Sequence, residues 1–400
     1  MIFRLWDQPV AQTPATVTAL AGHWVVSGQE LIRAVLADPV TFGPDNALDA
    51  VTPMSATTLR LLAGHGFRLP ATLANNGTPS HPVMRALVTQ ALHPARVQQQ
   101  RGWLEGVLCN RLSGLADTLL AGGRVDLHAT ISRDLPLATL TRLMALPPDT
   151  VDAVKEFSAA ALELFWAPLD AARQHRLAQQ VGGYHARLRH FVRTAPPGEL
   201  PLRDGAYAQR LSEDEVVAAL FFLLVAGQET TSQFLTFLMH RLMSEPQVLE
   251  GVIDGSIAVT DVVEEGLRLE SPLVTWRRIT TREVRLGNER LPRGARMLLW
   301  LAHAGRDSTV VAQPDRFAPG QPGSRRHLAF GAGAHRCSGA QLARMEAQVV
   351  VAQTAALLRD CRVVRAPWCP DNLTFRMPDA LVVELTRPSR LVRRGLILGG

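Results

Sequence analysis

Residues 212–244 carry the pattern that most limits how this chain can fold. Ser212 is followed three residues later by Glu215, the spacing of a capping box, so a helix start is sharply marked there. From that start the pattern predicts one helix to residue 244, roughly 48 Å long at 1.5 Å per residue. Its first half, through the run 216–225, is apolar on nearly every side. Such a helix must run through the middle of the molecule and be wrapped by other elements. Nowhere do roughly 20 uninterrupted apolar residues occur, the length a membrane span needs.

Halfway along, the apolar run gives way to Ala226-Gly227-Gln228-Glu229-Thr230-Thr231-Ser232. A polar patch in the middle of a buried helix needs a reason. In the plainer account Thr230 bonds back to a carbonyl one turn earlier and Glu229 pairs with a neighbour. In the functional account two small residues, an acid and an alcohol form a short proton relay into a dry pocket.

A second signal is the loop Phe330-Gly331-Ala332-Gly333-Ala334-His335-Arg336-Cys337-Ser338-Gly339, which delivers one cysteine to the start of a helix expected over 339–358. Helix amides and dipole favour thiolate at Cys337, and a thiolate so held suits an axial iron site. Gly331, Gly333 and Gly339 let backbone pass close to a flat ligand, and Phe330 can shield the sulfur. A dinucleotide fingerprint fits poorly, because Arg336 stands where its third glycine belongs.

The 400 residues as a whole are 47% hydrophobic and 20% charged, with no linker, repeat or low-complexity tract, which predicts one unit over 1–400 with 388–400 as a flexible tail. Helical spacing recurs over 83–120, 149–192, 260–270 and 339–358, and short strand patterns over 17–20, 23–27, 284–286, 297–301 and 381–385. The class expected is mainly α with small peripheral β-sheets. Cysteines 109, 337, 361 and 369 have neither zinc spacing nor disulfide density, and the N-terminus has no sustained apolar leader, so a cytoplasmic protein is expected. The net charge of +6 rests almost wholly on arginine, with Lys155 the only lysine. The arginines are dispersed and not interleaved with aromatics, which argues against nucleic acid.

The cysteine loop resembles the haem-binding loop of the cytochrome P450 family, Phe-x-x-Gly-x-His/Arg-x-Cys-x-Gly. Residues 226–231 resemble that family's oxygen-activation motif, Ala/Gly-Gly-x-Asp/Glu-Thr-Thr. Glu265 and Arg268 resemble its Glu-x-x-Arg helix, where the pair is structural and joined by a later segment such as Pro314-Asp315-Arg316-Phe317. His81 and Arg85 resemble its propionate clamp, and Arg278 and His335 match two further propionate positions, with Arg277 replacing Arg278 if the strand slips by one.

The resemblance implies a triangular helical prism holding haem b, iron protoporphyrin IX, between the long central helix and the cysteine-loop helix. It implies Cys337 as iron ligand, Ala226 and Gly227 making room for dioxygen, Thr230 stabilising the oxygen ligand and Glu229 assisting proton delivery. The activity implied is monooxygenation of a small hydrophobic molecule by a monomer, with electrons from a separate ferredoxin or flavodoxin and its reductase. An acidic partner would dock on basic residues, candidates being Arg96, Arg325, Arg326 and Arg344. Substrate lining is expected from the loop 47–74, the segment 159–188 with Phe165 and Trp166, Phe222, Ala226, the strand entry 273–276 and the turn near Met377. A peroxygenase using H2O2 and a non-catalytic haem protein are the alternatives.

Overall fold

The computed structural model describes residues 2–8, 16–146 and 151–386; the expected tail 388–400 lies outside the described residues. In chain order come β1 (Val17–Leu20), β2 (His23–Val26), α1 (Gln29–Ala37), β3 (Phe42–Gly43), α2 (Ala56–Gly64), α3 (Ser80–Ala91), α4 (Pro94–Gln98), α5 (Arg101–Leu120) and β4 (Arg124–Asp126). A π-helical turn, His128–Ser132, leads into α6 (Leu135–Met144), α7 (Val151–Trp166), α8 (Ala171–Thr194) and α9 (Pro201–Ala208). The central pair α10 (Glu213–Ala226) and α11 (Glu229–Met243) is followed by α12 (Pro246–Asp254) and α13 (Val259–Leu269). The remainder comprises β5 (Thr275–Thr280), β6 (Val284–Leu286), β7 (Glu289–Leu291), β8 (Arg296–Trp300), α14 (Leu301–Ala304), α15 (Ala340–Asp360), β9 (Cys361–Arg365) and β10 (Val382–Leu385).

The sheets are small, as the sequence implied. One has the order β1-β2-β8-β5-β3, a second β4-β10-β9, and β6 pairs with β7 as a hairpin. In the first, β2 runs parallel to β8 with Trp24 opposite Met297, and β5 runs antiparallel to β8. Two long helical expectations are subdivided: 83–120 becomes α3, α4 and α5, with Pro94 opening α4, and 149–192 becomes α7 and α8, separated by a loop that contains Pro168.

The long central helix is present but broken. The capping box at Ser212 and Glu215 is formed in both directions. At Gly227–Gln228 helical geometry fails, with Gln228 at φ −134°, ψ −37°. The Gln228 side chain explains the break: its Nε2 donates to Leu224 O, the carbonyl its own backbone N–H would seek in an unbroken helix, and to Ser158 Oγ on α7. Val216, Val217, Ala218 and Leu220 are fully buried, packed by α7, α8 and α9, while α11 packs on α6, α12, α13 and α15. The stretch Glu213–Met243 is long and apolar enough to cross a membrane, yet it is mostly buried inside the protein.

Two buried carboxylates on α13 tie down the chain that precedes the cysteine loop. Glu265 and Arg268 form a two-pronged ion pair at 2.7 and 2.8 Å with both side chains inaccessible, and Arg268 also donates to Gly305 O, Pro314 O and Arg316 O. Next to it Glu264, which no sequence motif singled out, takes Arg344 of α15 at 2.5 Å and His327 at 3.1 Å. Burial alone would raise the Glu264 carboxyl, but His327 and Arg344 outweigh it and bring it down to about 2.

Removing one partner of a fully buried, hydrogen-bonded pair leaves an uncompensated charge, so Glu265→Gln is expected to lose about 3 kcal/mol of stability in urea unfolding, against under about 1 kcal/mol for Glu283→Gln in the exposed Arg290 pair. Because Glu264 titrates lower in the folded chain than its ordinary 4.5, its stabilisation is present above that value and is lost as pH falls towards about 2. Glu264→Gln should therefore flatten the acid side of the stability profile between those values; an unchanged slope would show that the pair contributes nothing.

Candidate active site

A cavity of about 220 Å3 separates α11 from the cysteine loop. One wall carries Ala226, Gly227, Thr230, Thr231 and Phe234; the opposite wall carries Phe330, Gly331, Cys337 and Leu342; Arg85, Arg278 and His335 close one side. Residues expected from separate sequence signals thus meet around one space.

Cys337 is held by its own N–H donating to Phe330 O at 2.9 Å. Its side chain is open to the cavity but lies deep below the molecular surface. Burial pushes the thiol up, against the smaller opposing effects of the Gly339 amide and Arg85, so the uncharged form is favoured until a cation arrives. The Gly339 amide at the start of α15 acts in the expected direction and lowers the thiol, but burial outweighs it. The glycines also divide differently. Gly331 has φ +64° and open space around it, as a flat ligand requires, whereas at Gly333 (φ +69°) a Cβ would sit 2.1 Å from Leu36 O, so its close approach is to α1. A Cβ on Gly339 would lie 3.8 Å from the Cys337 sulfur. Phe330 lies beneath the Arg344 guanidinium at 4.6 Å.

The closing side is cationic without an anion. Arg278 is 2% exposed and donates to Arg277 O, and burial lowers it to about 10. Arg85 donates to Arg336 O at 2.6 Å. Neither has a carboxylate partner among the described residues. Arg277 turns the other way, to Asp49 O, Ala47 O and the Trp166 ring. His335 Nδ1 donates to Leu73 O and its ring stacks on His81 at 4.3 Å; burial takes His335 down to about 4 and lowers His81 as well, and His81 Nε2 is buried without a partner. Two guanidiniums and two imidazoles lacking an acidic partner fit a ligand that carries carboxylates. Together with an accessible sulfur on one wall and small residues on the other, the donor set fits an iron porphyrin.

On the helix wall both contacts of the plainer account are made. Thr230 Oγ1 donates to Ala226 O at 2.9 Å, while still lining the cavity. Glu229 faces away, accepting from Ser158 Oγ (2.7 Å) and Gln228 Nε2 (3.0 Å) and pairing with Lys155 at 3.0 Å. Burial would raise this carboxyl, but Lys155, Ser158 and Gln228 outweigh it and keep it ionised. The chain's single lysine is therefore buried against this acid. Gly227 makes room in another direction too, since a Cβ there would meet Leu140 of α6 at 2.8 Å.

Of the expected substrate lining, Leu73, Ala74, Trp166, Phe222, Ala226, Leu273 and Trp276 reach the cavity. Phe165 does not, and Met377 lines a second cavity of about 290 Å3 beside Glu229. Phe375, joined to Leu273 by an isolated antiparallel bridge, was missed; with Trp166 it makes an edge-on contact at 5.0 Å. Arg344 is not a free docking residue, being committed to Glu264 and Phe330.

Comparison with known proteins agrees with this geometry. The family model for Cytochrome P450 matches residues 258–375. The chain is 31% identical over 381 residues to the cytochrome P450 monooxygenase PikC of Streptomyces venezuelae, covering 93% of this chain and 86% of that protein. It is 30% identical over 333 residues to the cyclomarin C epoxidase CymV of Salinispora arenicola, covering 81% and 80%. Among solved structures, full-length CYP116B46 of Tepidiphilus thermophilus superposes with a TM-score of 0.88 at 27% identity, covering 98% of this chain and 53% of that one. With the sulfur, the anion-seeking side and the small-residue wall in one cavity, and relatives matched along nearly the whole length, the chain belongs to the cytochrome P450 family and is a haem-iron monooxygenase of small organic molecules.

Proposed function

We propose that Cys337 is the haem ligand of a monooxygenase that oxidises an uncharged, largely hydrophobic molecule in bacterial secondary metabolism. The observation that carries this reading is the meeting of Cys337, the carboxylate-free Arg85 and Arg278, and Thr230 on one cavity. The bound group is haem b, which supplies an iron that binds and activates dioxygen when electrons arrive. Arg85, Arg278 and His335, with His81 stacked behind, would hold its propionates.

This chain's own residues do the rest. Trp166, Phe222, Trp276 and Phe375 wall the substrate end, which excludes water and selects apolar surface over charge. Thr230 presents a hydroxyl beside Ala226 and Gly227, where it can orient oxygen and pass a proton. Glu229, one residue away on another helix face, is held ionised next to Lys155, so it can accept a proton only in passing and hand it on behind Thr230. Electrons come from a separate ferredoxin or flavodoxin with its reductase, docking on surface arginines that include Arg96, Arg326 and Arg325, the last exposed although it also pairs with Asp261. The chain acts as a cytoplasmic monomer and as one unit, in keeping with the pairing of N-terminal β2 with β8 across the sequence.

The peroxygenase reading keeps one observation in its favour: Thr230 is bonded to Ala226 O and Glu229 to Lys155 and Ser158, so the relay is not preassembled.

Cys337→Ser should leave the fold intact while the ferrous carbonyl complex loses its thiolate-type absorption. Thr230→Ala should keep that spectrum and keep the spin-state shifts found by screening a compound library. Product per oxygen consumed should fall about tenfold, with peroxide released instead. Equal coupling in Thr230→Ala and wild type, with product formed from H2O2, would establish the peroxygenase.

A further inference from the structure

The second cavity lies across α11 from Cys337 and shares no lining residue with the first. Its walls include His128, Arg133, Lys155, Glu156, Glu229 and Gln233. Glu156 is exposed, His128 and Arg133 are half-buried, and Lys155, Glu229 and Gln233 are buried, so the space leads from the surface to the carboxylate. Gln233 indicates what occupies it. Both atoms of its amide are buried without a protein hydrogen-bond partner, and folded proteins leave few such groups unpaired. The cavity must supply those bonds, and at about 290 Å3 with several polar walls it can hold a file of water molecules.

His128 stands at the rim in a defined tautomer. Thr236 Oγ1 donates its one hydrogen to Ser232 O at 3.0 Å, so it must accept from His128 Nδ1 at 2.9 Å. The lone pair is then on Nε2, which makes that nitrogen the basic one.

We propose that this cavity is a proton inlet, in which His128 Nε2 takes a proton from solvent and water passes it to Glu229 for use on the Thr230 side of α11. The proposal rests on the oxygen-activating reading above. No electrons move in the transfer, and each proton Glu229 gives up is replaced by one entering at His128. The charged groups facing His128 are Asp126 and Glu229, which favour its cationic form, and Lys155 and Arg133, which oppose it. Burial exceeds them all and holds the imidazole below its usual range, so the ring is neutral at rest and releases a proton readily. His128 acts through Glu229, without touching the cofactor pocket.

The test compares haem-loaded wild type, His128→Gln and His128→Phe, using a compound that gives a spin-state shift and electrons from a photoreduced deazaflavin. Product per oxygen consumed should fall about tenfold in both variants, as for loss of a proton-transfer group. The pH profile of oxygen-driven turnover should lose its imidazole-dependent limb and the solvent deuterium effect should grow. Product formation from H2O2 and the ferrous carbonyl spectrum should stay unchanged. Wild-type coupling and pH profile in either variant overturn the inlet, and so does an equal loss with oxygen and with peroxide, which marks a structural role. A wild type that makes product from peroxide alone overturns the parent reading instead.

Discussion

A helix that is apolar on all sides persists in water only when other helices cover it, and here the covering of α10 and α11 organises the molecule. α7, α8 and α9 enclose the first half; α6, α12, α13 and α15 enclose the second. Once that shell is built, any polar residue in the middle must be satisfied from inside it. Gln228, Glu229, Ser158 and Lys155 do so as a closed group of short hydrogen bonds and one ion pair. The helix break at Gly227–Gln228 is part of the same solution, since the amide that interrupts the helix also completes the cluster.

The cysteine loop is positioned from the other end of the shell. Arg268 grips the carbonyls of 314 and 316, and Glu264 grips His327 and Arg344, one on each side of the loop. Arg344 then covers Phe330, whose carbonyl receives the Cys337 N–H. The sulfur is thus fixed by contacts that do not involve the cofactor. The cationic side is the opposite case. Arg278 and Arg85 lie beside the cavity without an acid, and the burial of Arg278 costs stability that an anionic group would offset on binding.

What could be read from sequence was what short spacing determines. The capping box at Ser212, the i,i+3 pair Glu265–Arg268 and the glycine-spaced cysteine loop are local patterns, and each forms where expected. What could not be read depends on partners far along the chain. Lys155 meets Glu229 across 74 residues, and without that contact the acid looks free to turn towards the cavity. The break in the long helix needs Ser158 as well as Leu224 O. Gly333 looked like a platform for a flat ligand because nothing local reveals Leu36. Phe375 has no motif of its own and enters the pocket through an isolated bridge to Leu273.

One residue of offset on α11 separates two environments. Successive side chains on a helix point about 100° apart, so Glu229 and Thr230 cannot share a face. Glu229, Ser232 and Gln233 turn to the polar cavity, and Thr230, Thr231 and Phe234 turn to the apolar one. A pocket that must stay dry for oxidation can in this way adjoin a source of protons without being open to it. The backbone break at Gly227–Gln228 directly precedes Glu229 and Thr230, and Gly227 packs closely on Leu140 of α6. The acid and the alcohol are thus neighbours in sequence that face different surroundings, one polar and one apolar.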